Sequence, residues 1–177
     1  NQTGGHDGFG AYYFDGVNDI IEIENRSIFQ QRNVSISLWV NDLGTNTDLY
    51  PNIINFWEAG HDRLGIYYDN GPNLIRIYCA IDGDYEIQLP TTTFTDNDWH
   101  HVVAIFGDAG SALYYDGVLE FSNASQKCSL DNQTINIARI GRSIGTDYYK
   151  GHIDDIFIFN QSLSANQVVA LYENKTN

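Results

Sequence analysis

The chain has 177 residues, 42% of them hydrophobic and 14% aromatic. That fits one globular domain able to bury about 70% of its unfolded surface, and it excludes a disordered chain. With 23 acidic and 9 basic residues the net charge is -14, which disfavours nucleic-acid backbones and anionic membranes and favours bound cations. No apolar run approaches the roughly 20 residues that span a bilayer, so membrane insertion is not expected.

Apolar and polar residues alternate along most of the chain, the pattern of half-buried strands. Strands are expected at 11–15, 20–24 and 34–41. In the third, VSISLWVN, Val34, Ile36, Leu38 and Val40 share one face, while Ser35, Ser37, Trp39 and Asn41 share the other. Further strands are expected at 52–58, 64–68 and 74–81, where Ile75, Ile77, Cys79 and Ile81 alternate with Leu74, Arg76, Tyr78 and Ala80. Strands at 85–89 and 99–106 follow, the latter (WHHVVAIF) apolar on both faces, as suits a central strand partly covered outside. The last strands fall at 112–115, 118–121, 135–140 and 152–159. Asp15-Gly16, Asn70-Gly71, Asp82-Gly83 and Asp116-Gly117 supply residues that tolerate positive φ at tight turns.

One helix is expected at about 165–173, with Ser164 as N-cap, Gln167 completing a capping box, and Leu163 and Val168 placed as a hydrophobic staple. Strands at this spacing without helices between them mean an all-β sandwich or barrel. His100 and His101 are adjacent on a strand and point to opposite faces, so a structural role is expected for them and not a shared metal.

Cys79 and Cys128 either close a loop of about 50 residues or remain buried thiols. Sequons at Asn1, Asn25, Asn33, Asn123, Asn132, Asn160 and Asn174 point to an extracellular or cell-surface glycoprotein, and that setting favours the disulfide. Methionine is absent, which is expected of a chain processed or cut from something longer.

Taken in order, GAYYFDGVNDIIEI, VSISLWV, WHHVVAIF, ALYYDGVLE, ARIGR and KGHIDDIFIFNQSLSANQVVALY resemble the laminin-G-like, concanavalin A-like jelly-roll family. The resemblance spans residues 9–173, leaving 1–8 and 174–177 as tails. It implies a two-sheet antiparallel jelly-roll sandwich with one short C-terminal helix, and with the N- and C-terminal strands adjacent in one sheet. It also implies a structural calcium between the N-terminal loop and an aspartate of the last strands, here Asp15, Asn18, Asp19 and Asp154.

Some relatives of this fold are glycosidases, and those that retain configuration carry Glu-x-Asp-x-x-Glu on one strand. That pattern is absent here: Glu22 and Glu24 share a face without the rest of it, and no Gly-x-Ser-x-Gly elbow occurs. A non-catalytic module is therefore expected, recognising a glycan or an extracellular protein. Trp57, Arg63, Tyr148 and Tyr149 are the expected ligand-binding residues, on aromatic- and Gly-rich loops. The alternative is a structural subunit of an extracellular filament, coat or matrix, self-assembling through sheet faces and termini.

Overall fold

The computed structural model describes residues 4–24, 29–42, 48–58, 61–71, 74–80, 85–88, 97–131, 133–143 and 145–173. The strands are β1 (Tyr12–Asp15), β2 (Ile21–Glu22), β3 (Val34–Asp42), β4 (Asn52–Glu58), β5 (His61–Asp69) and β6 (Leu74–Cys79). They continue as β7 (Tyr85–Gln88), β8 (His100–Phe106), β9 (Ser111–Tyr115), β10 (Val118–Asn123), β11 (Ile137–Ile140) and β12 (Lys150–Phe159), followed by α1 (Ala165–Tyr172). Each expected strand and the helix form, with ends displaced by a few residues.

Two antiparallel six-stranded sheets make a jelly-roll sandwich. The first runs β1-β12-β3-β8-β9-β10 and the second β2-β11-β4-β5-β6-β7. The terminal strands are neighbours, Phe14 facing Gly151 and Asp15 facing Lys150.

Alternation decides what lies between the sheets. Val34, Ile36, Leu38 and Val40 of β3 are buried there, in one core with Ile75, Ile77 and Cys79 of β6. Slipping either strand by one residue would turn this set outward, so the pattern also sets register. Cys79 and Cys128 form a disulfide, which anchors the segment after β10 to the second sheet.

The Asp116-Gly117 pair turns the β9–β10 hairpin with φ of 48° and 77°. Asp116 Oδ1 accepts the His101 N–H at 2.8 Å, Asp116 Oδ2 lies 2.8 Å from His100 Nδ1, and His101 Nε2 lies 2.8 Å from Ser37 Oγ. Both histidines serve the framework.

Helix α1 starts at a capping box formed by Ser164 and Gln167. Leu163 and Val168 then pack on Val103, Ile105 and Tyr114, on the outer face of the first sheet. The N-terminal segment departs from expectation. Residues 4–8 do not trail away as a tail: Gly5 and His6 pack onto that same face, because His6 stacks on Trp39 with ring centroids 4.1 Å apart. Tyr172 of α1 stacks on Trp39 as well, at 5.7 Å. Residues 4–8 and α1 thus cover part of the outside of the first sheet, and the outer face of the second differs from it in kind.

Candidate functional site

Strand partners on the second sheet line up in register, and most of the described side chains that face outward along them are polar. Glu22, Arg139, Asn55, Gly65, Tyr78 and Glu86 are successive partners on β2, β11, β4, β5, β6 and β7. At about 4.8 Å per strand this row crosses about 24 Å of sheet. Asn52, Tyr67, Arg76 and Gln88 form the next row on the same face.

Gly65 sits mid-row, and what it lacks shapes the face. A Cβ there would meet Tyr78 Cε1 at 2.7 Å and the Ile54 carbonyl oxygen at 2.8 Å. The Tyr78 ring therefore lies along the sheet across β5, and its hydroxyl accepts a hydrogen bond from Asn55 Nδ2 on β4. Asn55 Nδ2 also donates to Asn52 Oδ1 at 3.0 Å, and Asn52 Nδ2 donates to the Tyr50 carbonyl at 2.9 Å. Tyr67 stands edge-on to Tyr78 at 5.7 Å. Asn52, Asn55 and Tyr67 form a buried floor, while Tyr78 and Arg76 are half-buried above it. A half-buried aromatic ring beside fixed amides can take the apolar face of a sugar and bond its hydroxyls.

Two ion pairs flank the platform. Arg76 Nη2 lies 2.8 Å from Asp69 Oδ2, and Arg139 Nε and Nη2 both donate to Glu22 Oε1, at 2.8 and 2.7 Å. Among the described side chains of this face the acids include Asp69 and Glu22, three strands apart and offset four residues along β5, and Glu24, two residues beyond Glu22. Asp69 is thus about 20 Å from Glu22, far beyond the 5–9.5 Å of a glycosidase carboxyl pair. Glu22 and Glu24 stand two residues apart at the sheet edge, without the rest of a glycosidase strand motif.

Of the expected ligand-binding residues, Trp57 lies two residues along β4 from Asn55, and its buried Nε1 finds no hydrogen-bond partner among the described residues. Tyr148 is half-buried at the rim of this sheet, bridged to Asn52, with the Arg142 guanidinium 4.7 Å over its ring. The side chain of Arg63 lies outside the described residues. Tyr149 is a correction: it is fully buried against Phe14, donates to the Asn41 carbonyl at 3.3 Å, and offers no face to a ligand. Alternation places Tyr148 and Tyr149 on opposite sides, and the loop reading of their neighbourhood hid that.

The residues expected to hold calcium do not converge. Asp15 Oδ1 accepts the Val17 N–H at 2.7 Å and Asp19 Oδ2 accepts the Asp15 N–H at 2.9 Å, a closed turn. Asp154 lies four residues along β12 from Asp15's partner Lys150, about 13 Å away. It meets the N-terminal loop instead, where His6, Asp7 and Asp154 each offer one ligand atom, all within 4.8 Å of one another. Ligands on opposite sides of a calcium ion stand about that far apart, and both carboxylates suit such a hard cation, whereas an imidazole suits zinc or nickel better.

The His6 ring nitrogens lie 3.4 Å from Asp154 Oδ2 and 3.7 Å from Asp155 Oδ2. A bulge at Asp155, with φ of 42°, turns both aspartates outward while keeping Ile153 and Ile156 on the core. Burial, and then the neighbouring Asp154 charge, hold the Asp155 carboxyl above its usual value. Of the sequons, Asn160 is exposed and Asn33 and Asn123 are half-buried, while Asn1, Asn25, Asn132 and Asn174 lie outside the described residues.

The family model Laminin_G_3, described as the concanavalin A-like lectin/glucanases superfamily, matches residues 15–169. The chain belongs to this family. No curated protein matches it in sequence. Among solved structures, this Laminin_G_3 chain is similar to the binding domain of Paraclostridial Mosquitocidal Protein 1, with TM-score 0.75 and 14% identity, covering 100% of this chain and 46% of that one. It is similar to the Ruminococcus gnavus IT-sialidase CBM40, bound there to α2,3-sialyllactose, with TM-score 0.74, 11% identity and coverage of 92% and 96%. It is also similar to the Trypanosoma rangeli sialidase, with TM-score 0.70 and 17% identity, covering 93% of this chain but 27% of that one. The chain thus spans about a quarter of the sialidase and about half of the mosquitocidal domain. Identities this low establish a shared fold.

Proposed function

We propose that this domain is a non-catalytic glycan-recognition module of an extracellular or cell-surface protein, with its binding face on the outside of the second sheet. The observation that carries the reading is the Tyr78 ring, laid across Gly65 and joined by its hydroxyl to the Asn55–Asn52 amides. A stacking surface and oriented amide groups together match the chemistry of a sugar ring, apolar on its faces and hydroxylated at its edge. Support also comes from the family and from the CBM40 neighbour, whose structure holds a sialylated sugar. The sequence lacks the Glu-x-Asp-x-x-Glu strand of retaining relatives, which favours binding over hydrolysis, and the disulfide favours an oxidising compartment.

Calcium belongs to the proposal as a structural ion. The carboxylates of Asp7 and Asp154 would hold it, and it would fasten the N-terminal loop to the first sheet, away from the sugar face. The test is a glycan array with the purified domain, in calcium and again in EDTA. Selective binding that survives EDTA supports a sugar face separate from the ion. Binding lost in EDTA places the ion in or beside the ligand site, and a blank array in both buffers rejects glycan recognition.

A further inference from the structure

The charged groups of the sugar face carry one step more. We infer that this face selects neutral glycans, whose terminal residues present hydroxyls without a carboxylate or sulfate; the inference rests on the glycan-binding reading above. Acidic sugars are usually gripped by a guanidinium that offers its planar fork to the carboxylate. The arginines described on this face are already engaged. Arg76 is paired with Asp69, their side chains 20% and 8% exposed, so the pair is shielded from solvent. Arg139 holds Glu22 through two nitrogens. Arg142, at the rim, donates through Nε to the Gly145 carbonyl at 2.9 Å and lies over the Tyr148 ring.

An acidic sugar reaching Arg76 or Arg139 would bring its carboxylate beside Asp69 or Glu22, within a few ångströms and partly out of water, where like charges repel strongly. The overall charge of -14 adds a longer-range repulsion. A hydroxyl meets neither obstacle. At the more exposed Arg139–Glu22 pair a hydroxyl can accept from a guanidinium N–H and donate to the carboxylate oxygen beside it. Tyr78 and the Asn55 and Asn52 amides, all uncharged, complete the surface.

The test measures binding of lactose-type oligosaccharides against the same oligosaccharides capped with sialic acid, by array and then calorimetry. The neutral forms are expected to bind at least about tenfold more tightly, with a Kd that changes less than about twofold between roughly 0.05 and 0.5 M salt. Tighter binding of the capped forms, weakening as salt rises, overturns the inference and leaves the glycan reading standing. Binding of neither class removes the glycan reading itself. Asp69→Asn releases Arg76 and is expected to shift preference toward the acidic sugar by about tenfold. Should that variant fail to melt cooperatively, Glu22→Gln, at the more exposed pair, gives the same reading through Arg139. A folded variant with unchanged preference contradicts the proposal.

Discussion

Tyr78 occupies the space that a side chain at position 65 would need: a Cβ on Gly65 would lie 2.7 Å from Tyr78 Cε1 and 2.8 Å from the Ile54 backbone oxygen. Glycine is required there for room, to let a tyrosine two strands from Asn55 reach it across the sheet. Gly65→Ala is expected to lift the ring and weaken glycan binding at least about tenfold, at a stability cost of about 1–3 kcal/mol. Tyr78→Phe keeps the platform and removes the hydroxyl acceptor, so it should weaken binding less than Tyr78→Ala. Calorimetric titration of the three variants with one array-selected sugar checks the order.

The disulfide lies in the core, away from the outer face of the second sheet. Cys79 and Cys128 are 49 residues apart in sequence. In the chain-entropy model a loop of that length contributes about 4 kcal/mol. Replacing both cysteines by serine should lower the urea midpoint accordingly. If the variant still folds in buffer, its binding at low temperature should match the parent.

His101 gives the fold an acid-sensitive element. Burial, opposed by Asp116 and assisted by His6, lowers its pKa to about 4. The unfolded chain, with an ordinary histidine value near 6.5, takes up the proton first. Stability should therefore fall as pH drops from about 6.5 to about 4, by on the order of 3 kcal/mol. His152, also lowered by burial, acts in the same direction. Asp155, held above its usual value, acts oppositely at lower pH, because its folded form keeps the proton longer. Urea melts at half-unit pH steps, for the parent and for His101→Gln, should show the slope shrinking in the variant.

The ion proposal makes a separate prediction. Calcium at 100 times its Kd should raise stability by about 2.7 kcal/mol, seen as a higher Tm. Asp154→Ala and Asp7→Ala should abolish that shift, while Asp15→Ala leaves it in place. A Tm shift with zinc and none with calcium would assign His6 a ligand role and reject calcium.

Alternation is local, so VSISLWVN and NLIRIYCAI disclosed their inward faces directly, and the Ser164–Gln167 box disclosed the helix. The disulfide was favoured by the extracellular setting that the sequons indicate, and the inward face of Cys79 suits it. The outer face of the second sheet was less legible because it is assembled by register. Nothing near Tyr78 in sequence says that its ring lies over Gly65, thirteen residues earlier. The available signal was Gly65 itself, a glycine inside a strand, which marks close approach. Tyr149 was misplaced because a Gly- and Asp-rich neighbourhood looks like a loop even where one residue plugs the core. The family resemblance pointed to Asp154 together with the Asp15 turn, and the bulge that aims Asp154 and Asp155 at His6 and Asp7 leaves no sequence pattern of its own.

The most direct measurement is an NMR titration of the isotopically labelled domain with a neutral oligosaccharide chosen from the array. The account predicts saturable shift changes at Asn55, Gly65, Arg76 and Tyr78, with His6, Trp39 and Tyr172 unmoved. Changes centred on His6 and Trp39 instead would place the ligand on the first sheet and contradict it.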